Sequence, residues 1–164
     1  MAKKTKSVAT LSHVSHDDRP VMVDVTDKPQ SFRRARAQGF ITLRPETIAL
    51  IGERKMRKGN VLTTAELAGV MAAKKTSDAI PLCHPLQLTD VDVKATIVND
   101  PRKPRSSGIE VVASVACVGQ TGVEMEALHA ASVALLTVYD MCKAVDKKMV
   151  ISRIALIEKT KVAR

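Results

Sequence analysis

Asp140 and Lys143 stand three residues apart in Tyr139-Asp-Met-Cys-Lys-Ala-Val, a spacing that puts a carboxylate and an ammonium on one side of a helix. On an open surface such a pair is worth only about 0.3 to 0.5 kcal/mol. At the edge of a cleft it becomes an acid/base couple in which each group tunes the other's pKa. Asp140 also sits against local preference, because a negative charge near a helix C-terminus opposes the helix dipole. Glu124 and Glu126, at the start of the same stretch, agree with it. Cys83 and His84 lie between Pro81 and Pro85, so the loop carrying them is stiff and extended. A thiol and an imidazole there are either a site element or a packed cysteine beside a surface histidine; the residues alone leave both readings open. Arg33, Arg34 and Arg36 are equally open, between a solvated basic loop and an anion grip. The chain has no glycine-rich phosphate loop, no H-E-x-x-H and no paired cysteines for zinc, so common nucleotide and metal motifs do not explain these groups.

One segment, residues 121 to 146, must position most of them. From Ala127 to Val138 its only ionisable side chain is His129, with no Gly or Pro, so a helix there has no charged face and needs cover on both sides. Leu128, Ser132, Leu135, Tyr139 and Cys142 form one stripe. Ala127, Ala130, Ala134 and Thr137 form the opposite one, small enough to admit a close neighbour, and a partner subunit is the expected cover. That geometry leaves Asp140 and Lys143 at the edge of the contact, where the neighbour's Lys58 or Arg33 would reach the same substrate.

The rest of the chain sets bounds. Its 164 residues, 45% of them hydrophobic, suit one domain with a real core. Aromatic residues are only 2%, which counts against the stacking platforms of single-stranded nucleic-acid binders. A net charge of +9 points to an anionic partner, nucleic acid or a phosphorylated small molecule. Cys83, Cys117 and Cys142 form no C-x-x-C pair and no apolar leader precedes them, which implies a reducing cytoplasm. No apolar run approaches the ~20 residues of a membrane span, so no membrane role is expected.

In order, residues 1–20 read as a basic tail, 21–158 as one domain and 159–164 as a C-terminal tail. Phe40 to Leu43 reads as a strand, and Pro45 opens a helix through about Met56. Lys58-Gly59-Asn60 is a turn. Thr63 and Glu66 have capping-box spacing for a helix that reaches Lys74 and Lys75. Residues 76–87 cannot continue it. Val91, Val93, Ala95 and Ile97 alternate with polar residues as in a half-buried strand, and a loop over 99–108 leads to a second strand, Ile109 to Val118. After the central helix, Met149 to Ile157 is the last strand. The order β-α-α-β-β-α-β predicts an α+β fold, a ferredoxin-like antiparallel sheet with helices packed on one face.

Met22-Val-Asp-Val-Thr, Lys58-Gly-Asn-Val, Ala72-Ala-Lys-Lys-Thr, Ile80-Pro-Leu-Cys-His-Pro-Leu, Thr121-Gly-Val-Glu-Met-Glu-Ala-Leu and Tyr139-Asp-Met-Cys-Lys-Ala-Val, in this order and spacing, resemble the MoaC family over roughly residues 21 to 157. The resemblance implies conversion of a 3′,8-cyclised dihydro-GTP, made by a radical enzyme, into cyclic pyranopterin monophosphate with loss of pyrophosphate, an early step of molybdenum cofactor biosynthesis. It also implies a homohexamer built as a trimer of dimers with sites at subunit interfaces. Carried over by position, Asp140 is the catalytic acid and Lys58 and Lys143 are the catalytic lysines. Leu82, Cys83, His84, Met125 and Glu126 contact substrate, and Asp24, Arg33, Lys74 and Glu124 match further site positions. No cofactor is required, with Mg²⁺ free to accompany the triphosphate or pyrophosphate, and the upstream radical enzyme is a candidate partner. Lys and Arg without a phosphate loop suit a triphosphate, and a carboxylate between lysines suits the proton transfers. The competing reading is a small basic α+β RNA-binding module, which calls for exposed aromatics that residues 88–98 and 109–118 lack. A metal protein using Cys83, His84 and Cys142 lacks supporting spacing.

Overall fold

A computed structural model describes residues 19–99 and 107–163; most of the expected N-terminal tail and of the 99–108 loop lies outside them. The elements run β1 (Ser31–Thr42), α1 (Pro45–Gly52), α2 (Val61–Ala73), α3 (Thr76–Ala79), β2 (Leu88–Val98), β3 (Gly108–Gly119), α4 (Glu124–Cys142) and β4 (Val150–Ala163). The sheet has the order β2-β3-β1-β4 and every pairing is antiparallel. That is the α+β, ferredoxin-like arrangement: α2 and α4 pack on each other, α4 on β1, β3 and β4, and α2 on β2.

β1 is three times the length expected of it. Its first nine residues carry Arg33, Arg34 and Arg36 among Ala35, Ala37 and Gly39, which give little hydrophobic signal. In the sheet Ala35 and Ala37 are buried beneath the helices beside Val115 and Ala113 of β3, while Arg34 and Arg36 emerge on the other face and pair with Asp90 and Glu158. The same outer face carries Phe32 and Phe40, so the central strands are not free of aromatics. They are not stacking platforms, however: Arg34 and Arg153 lie over the two rings and Phe40 is buried.

The helix boundaries also differ. α1 stops at Gly52, and the chain turns away at Arg54, whose φ is 56°. α2 is capped not by Thr63 but by Asn60, whose side chain accepts from Thr63 N at 3.3 Å. Glu66 instead reaches the edge strand and accepts from Ala95 N at 3.0 Å, which covers a donor that an edge would leave open. α2 ends at Ala73, with Lys74 as its C-cap. Residues 76–79 form one short helix before Pro81, and residues 159–163, read as a tail, extend β4 opposite the start of β1.

α4 buries most of its alanine side and, of the large one, Leu135 and Cys142. Ala127, Ala130, Ala131, Ala134, Leu135, Val138, Met141 and Cys142 face inward, whereas Met125, Leu136 and Tyr139 are exposed. Small residues let α4 lie close to its own sheet and to α2: a Cβ on Gly39 would come within 2.6 Å of Leu135 Cδ1, and one on Gly69 within 3.0 Å of Ala130 O. Gly69→Val is therefore expected to destabilise the fold by about 1 to 3 kcal/mol through overpacking, read as a lower denaturant midpoint at unchanged slope.

Candidate functional site

The carried-over residues gather at the two ends of α4. At its C-terminal end, Lys58 Nζ donates to Asp140 Oδ2 at 2.7 Å and to Asp140 O at 3.1 Å. Lys143 Nζ lies 2.6 Å from Asp140 Oδ1. Lys58 is delivered by a turn in which Gly59 N donates to Met56 O at 3.0 Å and Gly59 takes φ 92°, a conformation suited to glycine. Lys58 thus reaches Asp140 within one chain, whereas the expectation was that a neighbour's loop could bring Lys58 or Arg33 there. Lys143 and then Lys58 hold the Asp140 carboxyl down at about 2, and Asp140 in turn pushes the Lys143 ammonium up. Asp140 is thus a carboxylate between two ammonium groups in the free protein. A carboxylate in that state can accept a proton, whereas the catalytic acid that the resemblance implies would have to donate one.

At the N-terminal end, Leu82, Cys83, His84, Glu124, Met125 and Glu126 line one cleft of about 430 Å³, together with Lys28 and Thr121, which the sequence reading had not singled out. His84 Nε2 donates to Val23 O at 2.8 Å; a carbonyl only accepts, so Nε2 carries a proton and Nδ1 is the ring nitrogen left for the cleft. Asp24, beside Val23, closes a turn by accepting from Thr26 N at 2.9 Å and Thr26 Oγ1 at 2.7 Å, and these bonds lower its pKa. Lys74 reaches a smaller adjoining cavity of about 90 Å³ shared with His84 and Glu126. Arg33 is already engaged: Nε and Nη2 donate to Gly119 O at 3.1 Å and Gln120 O at 3.0 Å, which fixes the turn into α4.

Glu124 folds back over Gly122, where a Cβ would fall 1.9 Å from Glu124 Oε2, and pairs with Lys159 of β4. Lys159 lies in the stretch read as a tail, where an isolated lysine carried no signal. Burial and Glu126 push the Cys83 thiol up, so it is a neutral contact rather than a nucleophile. Among the described residues no group of three or more His, Cys, Asp or Glu is placed to hold a metal ion, and no helix is long and apolar enough to cross a membrane.

Glu126 is 4% exposed. Burial, and to a lesser extent Glu124, push its carboxyl up. A carboxyl raised above its unfolded value costs stability once ionised. Glu126→Gln is accordingly expected to melt a few degrees higher near neutral pH. The gain should vanish as pH falls below the ordinary glutamate range, where the group is neutral folded and unfolded; equal melting points at all pH values would contradict this.

The MoaC family model matches residues 22–161. A cyclic pyranopterin monophosphate synthase of Chloroflexus aurantiacus (strain ATCC 29366 / DSM 635 / J-10-fl) is 51% identical over 149 residues, 91% of this chain and 88% of that protein. One of Thermomicrobium roseum (strain ATCC 27502 / DSM 5159 / P-2) is 50% identical over 152 residues, 93% of this chain and 89% of that protein. With the ferredoxin-like sheet, the lysine-flanked Asp140 and the His84 cleft inside the matched region, the chain belongs to the MoaC family.

Proposed function

We propose that the protein is a cyclic pyranopterin monophosphate synthase, a lyase that converts 3′,8-cyclised dihydro-GTP to cyclic pyranopterin monophosphate and pyrophosphate. The observation that carries the mechanism is Asp140 between Lys58 and Lys143. Lysine ammonium groups supply protons to leaving nitrogen and oxygen, Asp140 takes protons up, and the same cations stabilise charge developing on pyrophosphate. Exposed Lys55 and Arg57 line a cavity with Lys58, and exposed Lys147 and Lys148 follow α4 in the chain, a basic setting that favours the triphosphate there. The other cleft, with Glu124, Glu126 and His84, supplies acceptors for the amine and N–H edge of a guanine-derived ring, while Leu82, Cys83 and Met125 cover its face. Arg33, held by two carbonyls, positions the turn rather than gripping phosphate. No protein-bound metal is needed; Mg²⁺ enters only as a companion of the phosphates.

The two clusters do not meet in one chain. Met125 and Asp140 are fifteen positions apart on α4, about 22 Å along its axis. Along that helix Met125, Leu136 and Tyr139 stand exposed, and so do Leu67 and Met71 of α2, which packs on it; large apolar surface of this kind is what soluble monomers rarely leave open. A two-fold interface between antiparallel α4 helices would place the start of one against the end of the other. The active site in this reading is formed by two subunits, within the homohexamer that the family resemblance implies. Three free cysteines accord with a reducing cytoplasm. Contact with the upstream radical enzyme belongs to the same reading and is tested by co-elution of the two proteins.

The direct assay supplies purified protein with the cyclised dihydro-GTP. Pyranopterin product and pyrophosphate are expected in equal amounts; substrate left intact would overturn the assignment.

A further inference from the structure

We propose that Asp146 is a positioning residue for this reaction: its buried carboxylate ties α1 to the turn leaving α4 and so sets the spacing of Lys58, Asp140 and Lys143. The inference rests on the reading that those three residues handle the protons.

Asp146 is 0% exposed. Its Oδ2 accepts from Arg44 N at 2.8 Å and Thr47 Oγ1 at 3.2 Å. Its Oδ1 accepts from Lys148 N at 3.0 Å and lies 3.4 Å from Arg44 Nε. Burial pushes this carboxyl up, but the bonds from Arg44, Lys148 and Thr47 outweigh it and hold the group ionised below the ordinary aspartate value. All these partners come from two places, the N-terminus of α1 and the turn after α4. α1 has no side-chain cap of its own, since Arg44 at its N-cap makes none. A capping side chain at residue 44 would have sufficed for the helix alone. Here the anion at the helix N-terminus comes from a hundred residues away, and the bond that caps α1 also fastens it to α4.

Both carriers of the catalytic lysines are therefore pinned by one group. On the α4 side, Val145 N and Asp146 N each donate to Cys142 O at 2.9 Å, closing the helix just beyond Asp140. On the other side, α1 leads through Arg54 and the buried Met56 to Lys58. Met56, Lys58, Met141 and Val145 line one cavity where the 53–60 loop lies on the end of α4. Lys58 must span from that loop to Asp140, and its bonds do not survive a shift of about 1 Å, because hydrogen bonds fade steeply beyond their normal length. Asn at position 146 cannot substitute, since its amide nitrogen would face one of the N–H donors.

The test compares Asp146→Asn with Asp140→Asn and with Val111→Ala, a cavity in the sheet core away from both ends of α4 and chosen to match its loss of stability. Steady-state kinetics and ¹³C NMR titration of the Asp140 carboxyl are measured well below each unfolding midpoint. For Asp146→Asn, kcat is expected to fall at least about tenfold with KM little changed, and Asp140 to titrate nearer an ordinary carboxylate; Val111→Ala should move neither. Thr47→Val, which removes one bond and keeps the shape, should produce the same changes in smaller measure, and it decides the matter if Asp146→Asn does not fold. Unchanged kcat or unchanged Asp140 titration in the folded variant, or equal losses in Val111→Ala, overturns the positioning role. Normal turnover in Asp140→Asn would overturn the underlying catalytic reading and this inference with it; an inactive Asp140→Asn beside a fully active Asp146→Asn would overturn this inference alone.

Discussion

Asp140→Asn is expected to lower turnover by about a hundred- to ten-thousandfold, the usual contribution of a positioned proton-transfer group. Lys58→Ala and Lys143→Ala should fall in the same range. Since Lys58 and Lys143 both contact Asp140, the three act as a unit, and any double variant should be little worse than the singles. Lys143→Arg separates charge from proton transfer: a guanidinium keeps the positive charge but does not give up its proton, so binding should persist while turnover is lost. All four substitutions lie on exposed side chains, and the thermal midpoint should stay nearly constant. Single-turnover product formation and thermal melts check both halves of this expectation, and near-normal turnover in any one variant removes that residue from the set.

The same geometry fixes a pH response. The Asp140 pKa is held at about 2, below its unfolded value, so its side of the ion pairs is lost as pH falls through that value, and above it the pairs last until the lysines give up their protons at alkaline pH. An acid limb of kcat in the mildly acidic range would belong to another group. Asp140 raises Lys143, so the alkaline limb should lie above the ordinary lysine value in the wild type and move to lower pH in any Asp140 variant with measurable activity.

Much of this was legible in the residues. Alternation marked β2 at Val91 to Ile97, the loop after it led to β3 at Ile109 to Val118, and the absence of charge from Ala127 to Val138 marked α4, because burial on both sides of a helix leaves that imprint on sequence. The part of β1 before Phe40 was not legible: Ala35, Ala37 and Gly39 are small because α4 lies close, and small residues carry no apolar period. For the same reason the inner face of α4 was misjudged, with its alanines turned to α2 and the sheet instead of to a partner. Asp140 announced itself by opposing the dipole, and Cys83-His84 by its two prolines. That Lys58 reaches Asp140 within one chain, and that Lys159 reaches Glu124, depend on how loops and an edge strand fold back, which no local pattern encodes.

The central claim, that each active site joins the start of α4 in one subunit to its end in another, is tested most directly by subunit complementation. Inactive Asp140→Asn protein is mixed in equal amounts with a His84→Ala or Glu124→Ala variant of impaired turnover, under conditions that let subunits exchange. If the halves come from different chains, each mixed dimer contains one wholly wild-type site and one doubly defective site. Half of the dimers are mixed at random exchange, so activity should recover to about a quarter of wild type. Mixing Asp140→Asn with Lys58→Ala is the built-in control: those residues share a chain and a half-site, and no recovery is expected. Recovery near one quarter in the first mixture and none in the second is the result this account predicts; no recovery in the first, with exchange verified, would contradict it.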